Sequence, residues 1–94
     1  MSRNEVSHWS AGTHQSVAYT GTAGIITNGV GGQIRAVRVV CTSAAYIAFN
    51  ATATTAGIYV PANTPEVWQI EPGDKVSAIQ VSSGGTLHVT ELDS

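Results

Sequence analysis

No window of this chain repeats apolar residues at helical spacing over about three turns. What recurs instead is a short run rich in β-branched or aromatic residues, then a cluster of Gly, Pro, Asn, Ser or Thr, at intervals of about 8–12 residues. A chain punctuated in this way has too few residues between breakers for helices to pack. It is restricted to an all-β fold: a small antiparallel β-sandwich or barrel of about seven to eight strands.

The runs can be read one by one. QSVAYT (15–20) puts Val17 and Tyr19 on one face. After the breaker GTAG (21–24), Ile25 and Ile26 form a short apolar run. NGVGG (28–32) reads as a flexible turn whose Gly and Asn positions accept positive φ. IRAVRVVCT (34–42) is the strongest strand, dominated by β-branched residues. Its two arginines sit on opposite parities. Either a bulge between them turns both outward, or one of them begins the strand at an edge. AYIAF (45–49) follows a short link, Ser43-Ala44, which predicts an antiparallel hairpin between these two strands.

Further on, IYV (58–60) ends at Pro61, and EVWQI (66–70) places Trp68 and Ile70 together. EPGD (71–74) fits a type II turn, with Pro72 fixing φ and Gly73 supplying the positive φ. KVSAIQV (75–81) pairs Ile79 with Val81, SSGG (82–85) turns the chain, and TLHVTEL (86–92) alternates around Leu87 and Val89. Residues 71–92 therefore read as a turn and a β-hairpin closing a sheet. The expected core is Ile34, Val37, Val39, Ile47, Phe49, Trp68, Ile70, Ile79, Val81, Leu87 and Val89.

Residues 1–14 are polar, with Val6 and Trp9 their only large apolar members and no clean period. They read as an extended N-terminal arm, and 15–94 as the β-domain. An indole in a polar arm is suited to docking in a groove of its own domain or of a neighbour.

Asp, Glu, Lys and Arg make up 11% of the chain, against about 25% in ordinary soluble domains. Thr, Ser, Ala and Gly fill the shortfall. Such a surface loses little on desolvation, which predicts a homo-oligomer or another protein partner. The net charge of −2 and four scattered basic residues argue against nucleic acid. No apolar run approaches the ~20 residues of a membrane span, and no leader-like apolar segment opens the chain, so no membrane association is expected. Cys41, the only cysteine, cannot form an internal disulfide; within VRVVC it reads as a buried, inert thiol.

The chemistry-bearing residues are sparse. The histidines at positions 8, 14 and 88 lack a nucleophile elbow, a His-x-His or a Cys-x-x-Cys. No catalytic residue, metal ligand or cofactor is expected, and the chain does not read as an enzyme. Its aromatic rings suit a core or an interface, or a sugar platform. The candidate interface residues are Trp9 and His8 in the arm, Arg35 and Arg38 in the strong strand, and Thr52, Thr54 and Thr55 in the threonine-rich loop.

The succession VRVV, AYIAF, ATATT, a short strand ending at Pro61, an aromatic strand, PGDKVSAIQV and GGTLHVTEL resembles a pattern found in small virion proteins of tailed phages. The likeness covers about residues 32–92 and is one of strands and turns. It implies a β-sandwich virion structural protein of the capsid decoration or cement type. Such a protein is made in the host cytoplasm, binds the major capsid protein on the capsid exterior and stabilises the shell, here as a homo-oligomer with a trimer favoured. The resemblance transfers no catalytic residue. A carbohydrate-binding or fibre/tail module, or a head–tail connector component, is the alternative.

Overall fold

The computed structural model describes residues 10–32 and 34–93. They form β1 (Ser10–Tyr19), β2 (Gly24–Ile25), β3 (Ala36–Cys41), β4 (Ala45–Phe49), β5 (Ile58–Val60), β6 (Glu66–Gln69), β7 (Val76–Gln80) and β8 (Gly85–Asp93). No helix occurs among the described residues.

Antiparallel pairing joins β1 to β8, β2 to β7, β3 to β6 and β4 to β5. That nesting is one long hairpin with its tip between β4 and β5. Its successive strand pairs fall alternately in two sheets. Contacts of β8 with β3 and of β7 with β4 complete them, giving the orders β1-β8-β3-β6 and β2-β7-β4-β5. This is the jelly-roll arrangement of an eight-stranded β-sandwich. The all-β sandwich read from the sequence is the fold that forms.

The core lies between the sheets. Val37, Val39, Cys41, Leu87 and Val89 from the first sheet face Ala45, Ile47, Val60, Val76 and Ala78 from the second, and all are buried. Each large side chain so placed contributes roughly 1.5–3 kcal/mol relative to exposure. Ile34 and Ile70 are buried as expected, while Phe49 and Trp68 pack against the core only partly covered, their ring centres 5.8 Å apart.

Five local expectations need correction. β3 and β4 do not form a hairpin, nor do β7 and β8; each pair is split between the sheets. The reason lies in the links. Tyr19, itself buried, donates its hydroxyl to the Ser43 carbonyl and accepts the Ser43 N–H at 3.1 Å. The Ser43 hydroxyl donates to the Gly84 carbonyl, and the Val81 N–H to the Ala44 carbonyl. The two links thus satisfy their polar groups on one another and on β1, as arches across the sandwich rather than tight turns.

In β7 the parity is reversed. Val76 and Ala78 face the core, whereas Ile79 is half-buried and Val81 is 41% exposed. An isoleucine and a valine therefore stand on the outer face, and a valine and an alanine fill the inner one. NGVGG is not a loose turn. Val30 exchanges backbone hydrogen bonds with the 71–74 turn, donating to Asp74 and accepting from Gly73, both at 2.9 Å. Gly29 is required there because a Cβ would lie 2.2 Å from the Gly73 carbonyl oxygen. Gly73 has φ of 88°, and Asp74 donates back to the Glu71 carbonyl at 3.1 Å, so the predicted type II turn is present.

β1 begins at Ser10, so 10–14, read in the sequence as arm, belong to a strand paired with β8. Its register slips between Ala11 and His14: three steps along β1 oppose two along β8, from Leu92 to Thr90. This bulge breaks the alternation, which is why no period is visible before Gln15. No bulge interrupts the register of β3. Arg38 points outward from the strand, and Arg35 precedes it.

Candidate binding faces

With the inner faces spent on the core, the outer sheet faces and the loops carry what remains for recognition. On the β2-β7-β4-β5 sheet, the pairings Tyr46–Tyr59 and Tyr46–Ile79 set three large side chains in one outward row. Tyr59 is 54% exposed and meets Tyr46 edge-on, with ring centres 6.0 Å apart. Ile25, on the edge strand of the same sheet, and Val81, just past β7, are also exposed. Edge-to-face packing holds the Tyr46 ring and leaves one side of Tyr59 free.

The next outward row, Ile25–Ser77–Ala48, is closed over at Ser77. Ser77 is fully buried and its hydroxyl donates to the Ala51 carbonyl at 2.6 Å. The Asn50 N–H donates to the Lys75 carbonyl, also at 2.6 Å. Ala53 is buried beneath the loop, while Thr52, Thr54 and Thr55 are all exposed. The loop presents its threonines because its alanine is turned in.

On the other sheet, the outer face is mainly polar, with Val67 exposed at its β6 edge. The row His14–Thr90–Arg38–Val67 crosses all four strands, and Ser16–His88–Val40 runs beside it. Arg38 is exposed on this face. Arg35 lies at the strand's start, and its guanidinium approaches Glu71 at 3.9 Å with both side chains largely exposed. Such a pair contributes little to stability. Arg38 lies on one sheet and the three threonines in the β4–β5 loop of the other, so they do not form one site. His8 and Trp9 lie outside the described residues.

Sequence reasoning did not single out two groupings: the Tyr46–Tyr59–Ile79 row and the pair His14–His88. The first was hidden by assigning Ile79 to the core. The second joins residues 74 apart in sequence, and no local spacing signals it.

The buried polar groups are structural. Burial pushes the Cys41 thiol up to about 11, and the Tyr19 hydroxyl is also raised, mainly by burial. Both are held protonated and away from solvent. Glu91, at the end of β8, is nearly buried and accepts the Gly31 N–H at 3.1 Å, which pins the loop before β3.

Compared with protein families and with curated proteins, the sequence matches no family model and no curated protein.

Proposed function

We propose that this chain is a phage virion structural protein of the decoration or cement type, which binds the major capsid protein on the outside of the shell and stabilises it. The observation that carries the reading is the outward row Tyr59–Tyr46–Ile79 on a jelly roll whose chain is only 11% charged. Jelly rolls serve repeatedly as capsid domains. An apolar row on a sheet face gains free energy when a flat protein surface covers it, and a shell repeats that gain over many subunits. The resemblance over residues 32–92 supports the same reading. The protein acts as a homo-oligomer, a trimer being favoured, and performs no catalysis. The loop threonines contribute polar contacts at the rim.

The test is co-sedimentation of the full chain with empty heads of the phage that encodes it. Wild-type protein should pellet with the shells, and Tyr59→Glu should remain in the supernatant with an unchanged melting temperature. Wild-type protein that stays in the supernatant would overturn the reading.

The exposed Tyr59 ring favours a second reading, a carbohydrate-binding or fibre/tail module of the virion, since an exposed aromatic face stacks on sugars and jelly rolls include lectins. Glycan-array binding that is lost in Tyr59→Ala, without shell binding, would select it.

A further inference from the structure

We propose that His14 and His88 form a two-histidine chelate for a divalent transition-metal ion on the outer face of the β1-β8-β3-β6 sheet. The two residues sit diagonally on β1 and β8, since Ser16 is the residue directly opposite His88 and Thr90 is opposite His14. His14 Nε2 lies 3.4 Å from His88 Nδ1. The rings are stacked with centres 5.5 Å apart and planes 24° from parallel.

That separation is the informative quantity. Two imidazole nitrogens each about 2.0–2.1 Å from a tetrahedral ion are separated by about 3.3 Å. The nitrogens are therefore already spaced as the edge of a tetrahedral coordination shell. His14 Nδ1 and Thr90 Oγ1 are 2.9 Å apart. When Nδ1–H donates to that hydroxyl, Nε2 is left with its lone pair toward His88. A hydrogen bond from the far ring nitrogen is the usual support of a metal-bound histidine.

The backbone explains why His14 is available at all. Ala11 opposes Leu92 and His14 opposes Thr90, so the bulge between them changes the parity of β1. That change affects the residues before His14; residues 14–19 pair with 85–90 in unbroken register, so His14 shares the outward face of Ser16, opposite in parity to the core-facing Val17 and Tyr19.

The ligand class follows from the donors. Imidazole nitrogens suit Zn²⁺, Ni²⁺ and Cu²⁺, with Cu²⁺ bound most tightly, and do not suit Mg²⁺ or Ca²⁺. Two protein ligands leave the other positions to water. Arg38 shares the His14 row with Thr90 between them, two strand spacings away at about 9–10 Å, so its charge is largely screened.

The experiment is titration of the full chain with Ni²⁺ and with Zn²⁺, followed by calorimetry and by ¹⁵N shifts of the histidine rings. One ion per chain should bind, perturbing Nε2 of His14 and Nδ1 of His88. His14→Ala and His88→Ala should each weaken binding at least about tenfold, the scale on which even an outer partner of a metal ligand matters. His8→Ala should leave it unchanged, and Mg²⁺ should give no signal. Wild-type chain that binds neither ion at millimolar concentration overturns the proposal. So does binding that survives either substitution at 14 or 88, or ring shifts confined to His8. The ring shifts are read on the wild-type chain, so the outcome stands even if a variant fails to fold.

Discussion

Ile47 and Phe49 show how much a single side chain's setting decides. Both lie on the inner face of β4, but Ile47 is fully buried whereas Phe49 is only partly covered, beside Trp68. Truncation should follow burial rather than size. Ile47→Ala should cost about 2–5 kcal/mol, and Phe49→Ala should cost less, because part of its ring already meets water. Urea melts of the two variants decide the order. Cys41 gives a pH prediction. Burial raises its thiol from 9.0 to about 11. The folded chain therefore keeps this proton through a window in which the unfolded chain has released it. Stability should be independent of this thiol below about pH 9, fall as pH rises from about 9 to 11, and lose at most about 2–3 kcal/mol from it. Tyr19, also raised, acts in the same direction at higher pH. Denaturant melts at neutral and alkaline pH should show a smaller alkaline loss in Cys41→Ala than in the wild type.

At the scale of elements, close backbone approach fixes where the short strands can lie. A Cβ on Gly24 would stand 2.1 Å from the Ala18 carbonyl oxygen, a backbone atom that cannot swing aside. Gly24→Ala must push β2 away from β1, and its melting temperature should fall well below that of Gly32→Ala, where a Cβ meets nothing within 4 Å. Ser77 ties the 50–57 loop down through the Ala51 carbonyl. Ser77→Ala removes that bond and should cost about 1–2 kcal/mol. It should also speed amide exchange at Asn50, whose N–H donates to Lys75 beneath the same loop. Unchanged exchange there would mean that the loop is held by Ala53 burial alone. The arches between β3 and β4 and between β7 and β8 belong to this scale too. The first is held by the Tyr19 hydroxyl and the second by Ser43 and Ala44 of the first, partners distant in sequence.

For the whole molecule, the first and last strands are neighbours. Among the described residues, β1 is an edge strand held along β8 alone within its sheet. Truncation to Ser10 keeps every β1–β8 pair, whereas truncation to Gln15 removes those at Ser10, Ala11 and His14. The second truncation should melt lower than the first, and equal melting would show that the bulged end of β1 adds nothing to stability. The exposed Tyr59 row and the low charge belong to a molecule whose outer faces are suited to being covered. Light scattering should give a mass above that of one chain, and a single-chain mass at high concentration would count against self-association in solution.

Strand alternation, turn chemistry and the absence of helical spacing were properties of local sequence, and they sufficed for the all-β sandwich, for most of the core and for the Pro72-Gly73 turn. They sufficed because a strand's two faces and a turn's φ values are set within a few residues. Sheet membership was not local. Nothing within residues 42–44 says that the chain crosses to the other sheet there; the decision rests on Tyr19 and on residues 81–84. The parity of β7 was ambiguous because Val76 and Ala78 compete with Ile79 and Val81 for the same inner space, and only the facing sheet decides which pair fits. The bulge in β1 and the meeting of His14 and His88 both depend on register between strands at opposite ends of the chain. Register is a property of the pair, fixed only when both strands are in place.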